Sequence, residues 1–334
     1  MRIVITLCTR ERPEMLRGCL KSIVSQQVPP GVAVSVVVVE NHTSPSCQIM
    51  VNEIAATSGL QVTYAYEPRL GIPFARNRAL ALALAQEPDW IGFIDDDESA
   101  APDWIAAFVR ASKSVACDVL QGPVDYLYPE PKPSWSSLPI RKRQPTGRIL
   151  RNAATSNTFM RAYIARKDGL GLKFNEKMRF TGGSDSEYFF RAAERGVRIC
   201  WMDDAVVSET VPLIRMTLKW QLSRSRRVSA NAIAIRWARL GLTRTLVRCI
   251  PKYSVRLIRG AIAVSLGAAA RFVVPDGGKR LLVGGLHDIW SSLGAIGAFF
   301  RLEPEPYRVV SAGTKSRAAA AVSWRLNGGR AASF

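Results

Sequence analysis

Four consecutive carboxylates, Asp95-Asp96-Asp97-Glu98, directly follow the apolar run Trp90-Ile91-Gly92-Phe93-Ile94. Adjacent carboxylates repel one another, so such a run needs either a solvated turn or a hard cation. The apolar run reads as a buried strand, which puts the acids at the carboxyl edge of a sheet. A hard divalent cation held there would in turn bridge a phosphate-bearing ligand. Other polar groups end apolar runs in the same way. Cys8-Thr9-Arg10 closes Ile3–Cys8, and Glu40-Asn41-His42 closes Val32–Val39. Glu40 stands where an acceptor could read a nucleobase N–H or a ribose hydroxyl. Arg76 lies in Gly71-Ile72-Pro73-Phe74-Ala75-Arg76-Asn77, which opens a helix, so it could pair with a diphosphate. Asp185 follows Gly182-Gly183-Ser184 at the start of another helix. Read from the residues alone, it forms part of an N-terminal cap.

The elements that must position these groups alternate over the first 120 residues. Strands are expected at Ile3–Cys8, Val32–Val39, Gln61–Tyr66, Trp90–Ile94 and Val119–Val124. Helices are expected from Pro13, over Pro73–Ala85, and after Pro102. Strands alternating with helices imply βαβ units and a mostly parallel sheet, with ligands beyond the carboxyl ends of its strands. The alternation then stops. Tyr126–Arg151 carries five prolines and Arg141-Lys142-Arg143, a long loop of the kind that forms lids or binding segments. Ser156–Arg161 suits an edge strand, Ser184–Arg195 a helix and Val197–Met202 a strand. From Thr217 onward the pattern is helical, basic and rich in Ala, Leu and Val.

The motifs Cys8-Thr9-Arg10-Glu11-Arg12-Pro13, Val38-Val39-Glu40-Asn41, Ala75-Arg76-Asn77 and Ile94-Asp95-Asp96-Asp97 occur in this order. Together they resemble family 2 glycosyltransferases, which have the GT-A fold. The likeness is strongest to bacterial glucosyltransferases of succinoglycan-type exopolysaccharide synthesis, which build on a lipid carrier. It extends to Phe180-Thr181-Gly182-Gly183-Ser184-Asp185, where the family has an acidic pair. Ser184 replaces the first acid and Asp185 keeps the second.

The resemblance implies a Rossmann-like, mostly parallel sheet with a smaller mixed acceptor-side subdomain. Residues 1–125 would bind the nucleotide sugar and 126–231 would form the acceptor-side half with the base; the basic, apolar pattern of 232–334 adds a helical, membrane-associated region. It implies that Asp97 with Asp95 holds Mg2+ or Mn2+ against a UDP-sugar's phosphates, with Arg76 beside them. Thr9, Glu40 and Asn41 would line the donor pocket, and Asp96 the ribose or donor sugar. Asp185 would be the base of an inverting transfer. The acceptor implied is a saccharide on a polyprenyl diphosphate. Where the family often carries a His, this chain has Glu209, which could serve the metal, the acceptor or neither. Trp220, Arg224, Arg227 and Asn231 share one helix face. They resemble, in altered order, the Q-x-x-R-W element of processive relatives, for acceptor or diphosphate binding; an ordinary basic face reads equally well.

Charge separates the chain into two parts. Residues 1–215 carry 26 Lys and Arg against 23 Asp and Glu, whereas residues 216–334 carry 20 against 4. The net charge of +19 is therefore a property of the last third. A basic tail on a near-neutral body attracts an anionic surface. Gly260–Ala270 is too short to span a bilayer, and Asp288 within Leu281–Phe300 argues against a span there. Arginines among aliphatic residues over Trp237–Arg259 fit interfacial helices. The expected location is the cytoplasmic face of the inner membrane, peripheral or monotopic. Met1–Thr9 lacks the features of a targeting signal. Six scattered cysteines and two histidines argue against a disulfide scaffold or structural zinc and fit a reducing compartment. A basic nucleic-acid-binding protein and a sugar-nucleotide nucleotidyltransferase compete with this reading. Against the first, the basic residues avoid the recognisable site and no nucleic-acid motif is present.

Overall fold

The computed structural model describes residues 1–300 except Ser137 and Lys142. The N-terminal part runs β1 (Arg2–Thr9), α1 (Pro13–Val24), β2 (Ala33–Glu40), α2 (Gln48–Ser58), β3 (Gln61–Tyr66), α3 (Ile72–Leu84) and β4 (Trp90–Phe93). It continues through β5 (Glu98–Ala100), α4 (Trp104–Ser114), β6 (Val119–Gln121) and β7 (Val124–Leu127). There follow β8 (Ile149–Leu150), β9 (Thr158–Arg161), α5 (Ser184–Glu194), β10 (Ile199–Trp201) and β11 (Val207–Thr210). Four helices complete the described chain: α6 (Leu213–Met216), α7 (Leu218–Leu240), α8 (Leu242–Ala270) and α9 (Pro275–Phe299).

Eight strands form one sheet in the order β3-β2-β1-β4-β9-β6-β10-β8. Strands β3, β2, β1 and β4 are parallel neighbours, as are β6 and β10. Both faces are covered, and strand periodicity shows it. Ile3, Ile5 and Leu7 pack toward α1, α2 and α4, while Val4 packs toward α3 and α5. In α1, Leu16, Cys19, Leu20 and Ile23 repeat at helical spacing on its buried side. The result is an α/β fold of the GT-A type.

The expected Val119–Val124 strand is two strands. Gly122 breaks the run, since a Cβ there would meet the Ala205 carbonyl oxygen at 2.4 Å. This break sends β7 into a second sheet, β5-β11-β7. The expected edge strand at Ser156–Arg161 is instead interior: β9 lies between β4 and β6, antiparallel to both. Its Phe159 is buried and stacks on Phe108 at 3.9 Å between ring centroids, which explains the apolar content. Cys117, beside β6, and Cys200, within the paired strand β10, form a single disulfide, which departs from the expectation of a reducing compartment.

The tail is a bundle in which α9 lies between α7 and α8. Helix α7 joins it to the body: Asn231 Nδ2 donates to the Thr181 carbonyl at 2.9 Å, and Gly183 packs near Asn231 and Ile235. The expected boundary between residues 231 and 232 falls inside α7. Asp288 is buried between Arg256, at 2.7 Å, and Arg259, at 2.6 Å. No helix among the described residues is long and apolar enough to cross a membrane. Residues 301–334 of the expected C-terminal region lie outside the described residues.

Candidate active site

Register brings the first groups together. β1 pairs with β2 so that Thr9 lies opposite Glu40, and with β4 so that Thr6 lies opposite Phe93. Three residues beyond that last pair, Thr9 Oγ1 donates to Asp96 Oδ2 at 2.7 Å. The acidic run therefore leaves β4 at the carboxyl edge, beside the ends of β1 and β2.

Each acid there has a distinct environment. Asp96 is buried, and burial pushes its carboxyl up to about 6 while Arg12, 3.2 Å away, pulls it down. Enclosure pushes Asp95 up to about 7; Arg76 opposes this, and Asp97, Asp96 and Asp185 add to the rise. Water reaches the 46% of the Asp95 side chain that stays exposed and offsets part of that enclosure. Asp185, at the start of α5, is near enough for its charge to add to the rise at Asp95. Asp97 is held between Arg12 and Arg215, each 3.4 Å from its Oδ2. Arg76 reaches Asp95 at 3.7 Å with its guanidinium 5.6 Å from the centre of the Phe174 ring.

Two expected donor-site residues are engaged inside the fold. Glu40 is fully buried and accepts hydrogen bonds from Tyr64 Oη (2.6 Å), Ser46 N and Oγ, and Cys47 N. Burial alone would raise its carboxyl, but these donors outweigh burial and bring it down. Asn41 donates to the Glu67 and Arg69 carbonyls and accepts from Gly71 N, all at 2.8 to 2.9 Å. Both side chains thus brace the loops at the edge. Gly71 must lack a Cβ, which would sit 2.6 Å from Arg179 Cβ.

The small sheet builds the far wall. Glu98, Glu209 and Tyr126 form one row across β5, β11 and β7. Glu98 is buried and rises well above its usual range, from burial first and then from Asp95 and neighbouring acids. Burial also raises Glu209, with Asp97 adding to it and Arg215 and Arg224 opposing. Arg215 pairs with Glu209. Beyond this row lies a pocket of about 110 Å3 lined by Tyr126, Leu138, Glu209, Arg215, Trp220, Arg224 and His287. Arg215 and Arg224 approach the Trp220 ring at 5.8 and 5.9 Å. His287, from α9, contacts Ser225 Oγ at 2.7 Å. Trp220 and Arg224 are therefore brought together; Arg227 is not among the lining residues.

Among the described residues no cluster of three or more His, Cys, Asp or Glu is arranged to hold a metal ion. The carboxylates of Asp95, about half exposed, and of Asp97, partly buried between Arg12 and Arg215, are hard oxygen ligands of the kind that suit a cation completing its shell with phosphate oxygens and water. Arg12 and Arg215 are the site residues that sequence reasoning missed. Arg12 lay within the Cys8–Pro13 motif without a role, and Arg215 carried no signal beyond its nearness to Glu209.

Comparisons with known proteins bear on this geometry. The model of the family described as "Glycosyl transferase family 2" matches residues 3–168. That stretch includes Thr9, Glu40, Arg76 and the acidic run and ends before Asp185. The succinoglycan biosynthesis protein ExoM of Rhizobium meliloti (strain 1021) is 29% identical over 234 residues, 68% of this chain and 72% of that protein. The mannosyltransferase PcManGT from Pyrobaculum calidifontis, solved with GDP-Man and Mn2+, has a TM-score of 0.56 at 18% identity. It covers 90% of this chain and 87% of that one, a likeness of fold. S. aureus TarS 1-349 in complex with UDP gives a TM-score of 0.48 at 15% identity, over 91% and 92% of the two chains.

Proposed function

Since residues 3–168 form a glycosyl transferase family 2 domain and the chain is a glycosyltransferase related to exopolysaccharide synthesis, we propose an inverting, metal-dependent hexosyl transfer. The donor is a UDP-sugar, with UDP-glucose the first choice, and the acceptor a saccharide on a polyprenyl diphosphate. The observation that carries this reading is the run Asp95, Asp96 and Asp97 at one sheet edge with Arg12, Arg76 and Arg215 on it, and Asp185 near enough for its charge to raise Asp95. Acids alone would repel a diphosphate; acids interleaved with arginines suit a cation and a diphosphate together.

Asp95 and Asp97 would hold Mg2+ or Mn2+, which supplies Lewis-acid stabilisation of the departing nucleoside diphosphate. Arg76 and Arg12 add fixed positive charge where negative charge develops. Asp96, held by Thr9 and Arg12, is poised toward the ribose or donor sugar. Asp185 takes the proton from the acceptor hydroxyl as its oxygen bonds to the anomeric carbon and the bond to the phosphate oxygen breaks. One displacement inverts the anomeric configuration. The Trp220 and Arg224 pocket binds acceptor sugar or diphosphate. The tail holds the enzyme peripherally on an anionic membrane surface, the cytoplasmic face of the inner membrane.

The test is a panel of radiolabelled UDP- and GDP-sugars with membranes carrying lipid-linked acceptor. Metal-dependent label in the lipid fraction with release of UDP is the expected result. Release of inorganic diphosphate from a nucleoside triphosphate would instead identify a nucleotidyltransferase.

A further inference from the structure

Helix α8 is inside out for a helix that meets water. Its buried positions are Thr245, Cys249, Tyr253, Gly260 and Gly267, whereas its large aliphatic residues point away from the bundle. Val247, Val255, Ile258, Ile262 and Leu266 are all exposed, Val247 by 70%, and they recur at helical spacing along one stripe. The stripe leads into Phe272 and Val273, at the turn into α9, exposed by 77% and 83%.

The inner face is committed to α9. A Cβ on Gly260 would sit 2.9 Å from the Gly285 carbonyl oxygen, so the two helices meet backbone to backbone. Arg256 and Arg259 reach from α8 to the buried Asp288 of α9. A rotation of α8 that hid the stripe would break this seam and strand Asp288. With α9 between α7 and α8, and α7 on the body, α8 packs chiefly on α9. Among the described residues, nothing covers the stripe.

Charge indicates what does. Arg244, Arg248 and Lys252 are exposed beside the stripe, and α8 contains no Asp or Glu. A second copy of this chain, docked face to face, would bring two such cationic flanks together. We propose that the outer face of α8 lies in the interface of an anionic bilayer, with Phe272 and Val273 entering the acyl boundary and the flanking cations on lipid headgroups. This rests on the peripheral membrane reading above and assigns it a face.

The experiment is co-sedimentation of the full chain with vesicles of phosphatidylcholine alone and with added phosphatidylglycerol. Wild type is expected to bind the anionic vesicles and to release as salt rises. The exposed pair Ile258→Glu/Ile262→Glu should lower partitioning about tenfold or more, and Phe272→Ser/Val273→Ser should lower it similarly. Arg248→Gln/Lys252→Gln should cost about fivefold per charge on anionic vesicles only. Circular dichroism and metal-dependent UDP binding, unchanged in these variants, separate lost contact from lost fold. Stripe variants that bind as wild type does would overturn the face while leaving the membrane reading intact. A wild type that binds neither vesicle would overturn both. A wild-type dimer that Ile258→Glu/Ile262→Glu dissociates would assign the face to a second copy.

Discussion

Arg215 holds Asp97 from across the cleft, its guanidinium 3.4 Å from Asp97 Oδ2. The same side chain pairs with Glu209 and faces the Trp220 ring. One arginine thus links the acidic run of the large sheet to the wall of the pocket built by the small sheet and α7.

Replacing it should loosen both sides. Arg215→Gln leaves Asp97 with Arg12 and strands Glu209 among neighbouring acids. We expect kcat/KM to fall about 10–100-fold, as for other residues that orient a metal-binding carboxylate. Arg215→Lys should recover only part of it, because an ammonium cannot fork to two carboxylates. Steady-state assays of UDP release measure both.

Asp185→Asn keeps shape and removes the proton acceptor. Turnover should fall about 10²–10⁴-fold, while UDP affinity measured by calorimetry stays at the wild-type value. Near-normal turnover would move the base elsewhere.

For Asp97→Ala, the expected loss is in the part of donor binding that depends on added metal. Titrating UDP with and without Mn2+ should show a metal-dependent gain for wild type and none for the variant. Chelator should bring wild type to the variant's level.

Trp220→Ala should act on the acceptor alone. Loss of the ring is expected to raise acceptor KM about tenfold, with hydrolysis of the donor in the absence of acceptor unchanged. A matching loss of donor hydrolysis would place Trp220 on the donor side.

Glu40 gives a pH prediction. Its folded carboxyl lies below the ordinary value of 4.5, chiefly because the Tyr64, Cys47 and Ser46 donors outweigh burial. The stabilisation is therefore present above 4.5 and is lost as pH falls through the lower, folded value. Glu40→Gln should lower Tm near neutrality, and the gap to wild type should narrow as pH drops below 4.5. Thermal melts across that range check the sign.

Much of the polar sheet edge is legible in the sequence because its signals are local. An apolar run followed at once by Asp95-Asp96-Asp97 reports a buried strand and its polar end within nine residues. The same holds for β1 with Thr9 and β2 with Glu40. What Glu40 and Asn41 do was not legible. Several of their partners, Tyr64 and the carbonyls of Glu67 and Arg69, lie 24 to 28 residues away and meet them because β3 pairs with β2. Likewise β9 looked like an edge strand because its position between β4 and β6 depends on where the chain returns.

The sequence by itself determined the parallel half of the sheet, the acidic edge and the basic amphipathic tail, since each is written in residues adjacent along the chain or one helical turn apart. Tertiary structure alone decided that Arg12 and Arg215 clasp Asp97, that Glu98, Glu209 and Tyr126 form one row, and that α9 supplies His287 to the pocket. Those partners are set by strand register and helix packing across many tens of residues. It also decided which way α8 faces. Helical periodicity shows that α8 has an aliphatic side and suits an interface; the close approach at Gly260 and the buried Asp288 fix that side on the outside of the bundle.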